Sequence, residues 1–188
     1  LNGMPASNFE VGRAGHIALG QKKANQAIIF DGLMDSNSLF LTGNAGTVYF
    51  TSFLDLKRDG PTVVEIPAGT GPGIMIDSCS RNIVDMGPPG PHHGKGGKFL
   101  ILPPGYDKTE FEGFVPQGVY TIAKSRSYAV WVLLRGFLKD GKPDYSSQLF
   151  RNNIRVYPLR LAANPPEMEF INGTGKDFNT VHSPSFKV

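Results

Sequence analysis

Two adjacent histidines, His92 and His93, lie inside the stretch Gly87-Pro88-Pro89-Gly90-Pro91-His92-His93-Gly94-Lys95-Gly96-Gly97-Lys98. Neutral imidazoles bind metal ions, and glycines let backbone N–H groups approach an anion, with Lys95 and Lys98 adding charge. The stretch is not a P-loop. That motif needs Gly five residues before Gly-Lys. Counting back gives Pro89 or His92, and no Ser or Thr follows either lysine. Neighbouring residues on an extended backbone point to opposite sides, and the other histidines, His16 and His182, lie near the two ends. No metal site and no cofactor are expected. The plainer reading is a wide surface connection with two turns.

Other reactive residues are isolated. The single cysteine, Cys79, excludes an internal disulfide and a cysteine zinc cage. Arg81, two positions on, could lower its pKa, but a lone cysteine is more often a small packing residue. There is no Gly-x-Ser-x-Gly elbow and no His-Glu-x-x-His. Asp55, Glu65, Asp77 and Asp85 all fall on or beside predicted strands, and nothing selects a catalytic pair among them. Tyr49, Tyr106, Tyr120, Tyr128 and Trp131 could line a pocket, although such aromatics usually build core. Arg126 and Arg135 flank the most apolar run and suit pairing with a carboxylate at a sheet rim.

The elements that must position these residues are mostly strands. Pro5 to Leu19 reads as a helix, with Ser7 or Asn8 as cap and Gly20 as stop. Ala27 to Phe30 and Ser38 to Thr42 are short apolar runs. Thr47 to Leu56 is the clearest strand and carries bulk on both faces, so it is expected to be central. Pro61 to Pro67 follows an Asp59-Gly60 turn, and the spacing predicts an antiparallel pair. Further strands are expected at Gly73 to Ile76, Lys98 to Leu102, Val119 to Ala123, Tyr128 to Leu134 and Ile154 to Tyr157, with a helix over Tyr145 to Asn152. The pattern is mainly β, a β-sandwich or jelly-roll-like fold. One domain is expected over residues 1–163, with 164–188 a linker or exit arm.

Composition narrows the classes without choosing a reaction. Gly 23 and Pro 15 make about a fifth of 188 residues, and they sit between apolar runs, so they read as turns. A coiled coil, a disordered tail and a disulfide scaffold are excluded. A net charge of +3 is too weak and dispersed for a nucleic-acid footprint, despite a pI near 9.0. No apolar run approaches the roughly 20 residues of a membrane helix. Leu1-Asn2-Gly3 and Lys187-Val188 read as cuts through a longer polypeptide.

From Leu41-Thr42-Gly43-Asn44-Ala45-Gly46-Thr47-Val48-Tyr49 onward the chain resembles the family catalogued as domain of unknown function 1254. The likeness continues through Leu54-Asp55-Leu56, Val63-Val64-Glu65-Ile66-Pro67, Asp85-Met86-Gly87 and Gly94-Lys95-Gly96-Gly97-Lys98. Leu102-Pro103-Pro104-Gly105-Tyr106, Arg135-Gly136-Phe137, Tyr157-Pro158-Leu159 and Asn164-Pro165-Pro166-Glu167 extend it. The resemblance implies a jelly-roll-like domain that usually precedes a second β-rich domain, catalogued as 1214. It implies a protein that is often exported, to the periplasm or beyond, and whose biochemical role is undefined.

Against that family, Gly46 precedes Thr47 where relatives tend to read Asn-x-Asp-Thr. His92 follows Pro91 where they tend to read Gly-Pro-Asp, and Cys79 replaces an aromatic. The ligand-binding residues expected to gather at one end of the sandwich are Asn44, Thr47, Tyr49, Asp85, His92, Lys95 and Lys98. Three readings follow: a non-catalytic binding or scaffolding domain with the C-terminal β domain as partner, part of a hydrolase or lyase with its site at that junction, or a homo-oligomeric structural protein using open strand edges.

Overall fold

The computed structural model describes residues 3–39, 43–107, 109 and 118–179. In order the chain forms α1 (Met4–Leu19), β1 (Gln26–Ile29), β2 (Ser38–Leu39), β3 (Val48–Asp55), a helical turn α2 (Leu56–Asp59), β4 (Thr62–Ile66), β5 (Gly73–Asp77) and β6 (Asn82–Met86). There follow β7 (Gly97–Leu102), β8 (Thr121–Lys124), β9 (Ala129–Gly136), α3 (Asp144–Asn153), β10 (Arg155–Pro158), a 3-10 turn (Leu159–Leu161), β11 (Glu169–Asn172) and β12 (Phe178–Asn179). The end of the predicted Ser38 to Thr42 strand, and the final stretch with His182, lie outside the described residues.

Bulk on both faces of a strand demands cover on both sides, and β3 has it. It lies inside a six-stranded mixed sheet of order β11-β1-β3-β9-β5-β6, and every residue but Asp55 is buried. A second mixed sheet runs β10-β4-β7-β8, and β12 pairs with β2 in a third, two-stranded sheet. Val48, Phe50 and Leu54 of β3 meet Val64, Ile66, Phe99 and Ile101 of the smaller sheet in one core, closed by Phe150 and Ile154 at the end of α3. On its other face β3 is covered by α1, where Phe9 meets Phe53 edge-on at 5.0 Å between centroids.

Helix α1 begins one residue earlier than expected and is not capped by Ser7 or Asn8. Gly3 is its N-cap, and Ser7 is buried within the helix. Pro5 fits because a first-turn residue needs no N–H partner. Gly20 ends the helix at φ +115, with its N–H on the His16 and Ile17 carbonyls, as a left-handed terminator does.

The predicted pairing of Thr47–Leu56 with Pro61–Pro67 does not form. β3 pairs with β1 and β9, whereas β4 pairs with β7 and β10 in the other sheet. The cause is local. Asp55 Oδ1 accepts the N–H groups of Lys57 and Arg58, both at 3.1 Å, and starts a helical turn there. The turn closes on Gly60, at φ +73, so Asp59-Gly60 ends a crossover between layers and not a hairpin. Three strands were not expected from the sequence: β6, β11 and the short β12, which pairs with β2. β6 is an edge strand paired only to β5, with a register shift at Met75/Ile76. Within the stretch read as an exit arm, β11 pairs in parallel with β1 from Gln26↔Glu169 to Ile29↔Asn172.

Candidate functional site

The residues expected to bind a ligand fall in several places. Asn44 Oδ1 accepts the Gly46 N–H at 2.6 Å and closes its own turn. Thr47 is buried, and its hydroxyl donates to the Gly136 carbonyl at 2.7 Å. Tyr49 stands opposite Arg135 on β9, and the guanidinium lies 5.4 Å over its ring, so this arginine meets an aromatic face and not the expected carboxylate. The loop from Gly87 to Gly97 is tied to the same end of the sandwich: Gly69 N–H donates to Gly94 O, and Gly71 N–H to Arg135 O. Asp85 is elsewhere, on edge strand β6, three strands from β3 and therefore on the order of 15 Å away across the sheet. Lys98 lies in the smaller sheet, where its ammonium is 2.9 Å from Glu65.

The glycine loop is a turn assembly and not an open anion cradle. The N–H groups of Gly90 and Gly94 donate to Gly87 O, that of His93 to Gly90 O, and that of Lys95 to His92 O. Gly96 takes φ +75, and a Cβ there would come 2.6 Å from Ala68 N. His92 lies edge-on to Phe99 at 4.8 Å between centroids and shares a 2.9 Å hydrogen bond with Thr121. Its place is in packing. His93 is exposed and Lys95 is exposed.

Cys79 is exposed, and Arg81 is not available to it. Asp77 accepts the N–H groups of Cys79 (2.9 Å) and Arg81 (3.0 Å) on Oδ1 and the Arg81 Nε–H (2.7 Å) on Oδ2. Burial by itself raises the Asp77 carboxyl. These donors outweigh it and hold the group below its ordinary value. The cluster is a staple for the β5–β6 turn.

A second polar group was missed. Arg155, Glu65 and Lys98 stand side by side on β10, β4 and β7. The phenol of buried Tyr157 donates to Glu65 Oε1, the atom that also meets Lys98. Burial first, then the Glu65 carboxylate, push the Tyr157 phenol above its ordinary value and keep it protonated. Lys98 was named from the sequence, and Glu65 was one of four unranked carboxylates. Only the strand register brings them together.

Among the described residues, an open space lies beside α1, on the face of the larger sheet turned away from the smaller one. A cleft of about 400 Å³ lies between α1, the end of β3, α2 and the start of β9. Behind its wall His16 is buried. Its Nδ1–H donates to Gly12 O at 2.9 Å, since a carbonyl only accepts. Nε2 then accepts from the Thr51 hydroxyl at 3.0 Å, and Thr51 Oγ1 accepts from Trp131 Nε1 at 2.7 Å. Burial drives the His16 pKa down to about 4, against the upward pull of the Gly12 carbonyl, so the ring is neutral. Beside it the Gln21 carboxamide pairs with the Phe53 backbone in both directions, at 3.0 and 3.2 Å, and donates to Ser52 Oγ at 2.8 Å. The cleft wall carries five cations, Arg13, Lys22, Lys23, Lys57 and Arg58, against the carboxylates of Glu10 and Asp55.

Residues 24–158 match the family described as Protein of unknown function (DUF1254). The chain belongs to the DUF1254 family. Glu65, Lys98 and Tyr157 lie inside the DUF1254 match, whereas α1, Lys22 and Lys23 precede it. The DUF1254 chain also resembles the crystal structure of the VPA0106 protein from Vibrio parahaemolyticus, with a TM-score of 0.56 and 16% identity over 90% of this chain. At that identity the likeness concerns the fold. This DUF1254 chain spans 42% of the length of that protein. No curated protein matches it. No helix among the described residues is long and apolar enough to cross a membrane.

Proposed function

We propose that the chain is a non-catalytic binding domain of a longer β-rich polypeptide, with its ligand in the cleft beside α1. One contrast carries the reading. The polar groups behind the cleft wall, His16, Thr51, Trp131 and Gln21, are bonded to one another or to backbone, while Lys22, Lys23 and Lys57 stand exposed at its rim. Such a site has groups to hold a ligand. The His16 ring behind the wall has both nitrogens engaged and is neutral at physiological pH, so it is not poised to exchange a proton with a ligand. The greater length of the Vibrio protein supports the longer polypeptide, in which a second β-rich domain of the 1214 kind is the natural partner. Export of that polypeptide belongs to the same reading.

Nitrogen NMR of the full-length protein tests the non-catalytic role. His16 is expected to keep its Nδ1–H tautomer, neutral, from pH 8 to about pH 5. A His16 ring that gains a proton near its ordinary value and reacts with diethyl pyrocarbonate in the native protein overturns the reading.

A further inference from the structure

The cleft also has a chemical preference. Of its five cations two are engaged: Arg13 pairs with Glu10 at 2.6 Å, and Arg58 with Asp59 at 2.5 Å. Lys22, Lys23 and Lys57 have no ion-pair partner among the described residues, and all three are exposed. The remaining acid, Asp55, accepts on Oδ1 the N–H groups that open α2 but keeps its charge, so it offsets one of the three lysines and not all of them. The rim therefore presents uncompensated positive charge, although the chain as a whole carries only +3.

Those lysines are held on a prepared backbone. The N–H groups of Lys22 and Lys23 both donate to Gln26 Oε1, at 2.7 and 3.0 Å, which sets the turn after α1. Arg58 Nη1 reaches across to the Lys22 carbonyl at 2.5 Å and ties α2 to that turn. The backbone of the rim is thus set before binding, and the ordering cost falls on the lysine side chains alone.

Between the charges the wall is apolar. Phe53 is stacked on Trp131 at 6.1 Å and 13° and is braced edge-on by His16 at 4.6 Å, so its ring cannot easily turn away. Ile17 on α1 and Tyr128 before β9 also line the cleft, and each is nearly half exposed, at 46% and 47%. Large side chains left open around a concave space are what an apolar ligand surface replaces.

Taking the cleft to be the binding site proposed above, we infer that its ligand is a small amphipathic carboxylate: the carboxylate meets Lys22, Lys23 and Lys57, and a flat or chain-like apolar body lies against Ile17, Phe53 and Tyr128. The neutral His16 adds no charge to this site and accepts no new partner.

Calorimetric titration of the full-length protein with two matched probes, 4-phenylbutyrate and 4-phenylbutan-1-ol, tests this. The carboxylate is expected to bind once per chain, more tightly than the alcohol and less tightly as salt rises. Combining Lys22→Gln, Lys23→Gln and Lys57→Gln is expected to weaken it about tenfold and leave the alcohol unchanged. These lysines are exposed, so the variant folds, and its unfolding midpoint checks that. Ile17→Asp is expected to weaken both probes. Equal binding of the two, untouched by the lysine changes, overturns the carboxylate inference while the cleft stands as a binding site. Failure of both probes to bind, or binding that Ile17→Asp does not affect, overturns the cleft as the site together with the inference.

Discussion

The imidazole of His16 accepts the Thr51 hydroxyl at 3.0 Å across 35 positions of sequence, and through it the helix is fastened to the central strand. The same hydroxyl oxygen takes the indole N–H of Trp131 from the neighbouring strand. Three elements thus meet at one buried oxygen. Neutrality of the ring is a condition of that bond, because a protonated Nε2 has no lone pair with which to accept.

Stability should therefore depend on pH in a defined window. The folded pKa of His16, about 4, lies below the ordinary 6.5. Between the two, the unfolded chain binds a proton that the folded chain does not, so stability is fully present above pH 6.5 and falls as pH drops towards 4. The interval corresponds to about 3 kcal/mol. Asp77, also held below its ordinary value, loses its contribution only further into acid, as pH falls through its folded value. Urea unfolding at pH 7.5 and 4.5 measures the slope. His16→Leu should be less stable at neutral pH and lack most of this slope, and a slope that survives the substitution would falsify the assignment.

Gln21 substitutes for a strand neighbour at Phe53. Gln21→Ala should leave the buried Phe53 N–H and carbonyl without these partners and lower stability by about 2 kcal/mol. Because those bonds hold the end of α1, the variant should also be cut faster by protease near residues 20–25. Resistance equal to that of the parent protein would show that α1 is held by its apolar contacts alone.

Tyr157 and Lys98 both meet Glu65, yet they should contribute unequally. The Tyr157 side chain is buried, and Tyr157→Phe removes a hydrogen bond to a carboxylate at a cost of about 2 kcal/mol. The Lys98 side chain is 43% exposed, so Lys98→Met should cost less than about 1 kcal/mol. Denaturation of the two single variants and the double variant gives both costs and their coupling. A larger loss from Lys98→Met would mean that the ion pair, and not the phenol, holds the row.

Gly96 and Gly141 share a left-handed backbone but not an environment. At Gly141, φ +72, a Cβ meets open space, and Gly141→Ala should cost about 1 kcal/mol of backbone strain. At Gly96 the Cβ also meets the backbone of Ala68, so Gly96→Ala should add several kcal/mol of overpacking. Thermal unfolding of the two variants separates strain from collision. Equal midpoints would mean that the 66–68 segment moves aside freely.

The sequence by itself determined the strands whose pattern is local. Thr47 to Leu56, with bulk on both faces, could only be covered on both sides, and the family likeness rested on contiguous motifs that the match over residues 24–158 supports. Glycine and proline spacing marked the turns, and Pro5 and Gly20 framed α1. Only the tertiary structure decided which strands pair. Asp55 looks like an ordinary strand-end acid until its carboxylate is seen capping α2 and sending β4 to the other sheet. β11 carries little pattern of its own and gains its partner from β1, far away in the chain. The same holds for chemistry. Glu65, Lys98 and Tyr157 become one cluster through register, and the cleft is built from a helix, a turn and two strand ends. Sequence periodicity reports which face a residue turns to the core. It does not report which distant residue it meets there, because that is set by how the layers are threaded and not by any local preference of the backbone.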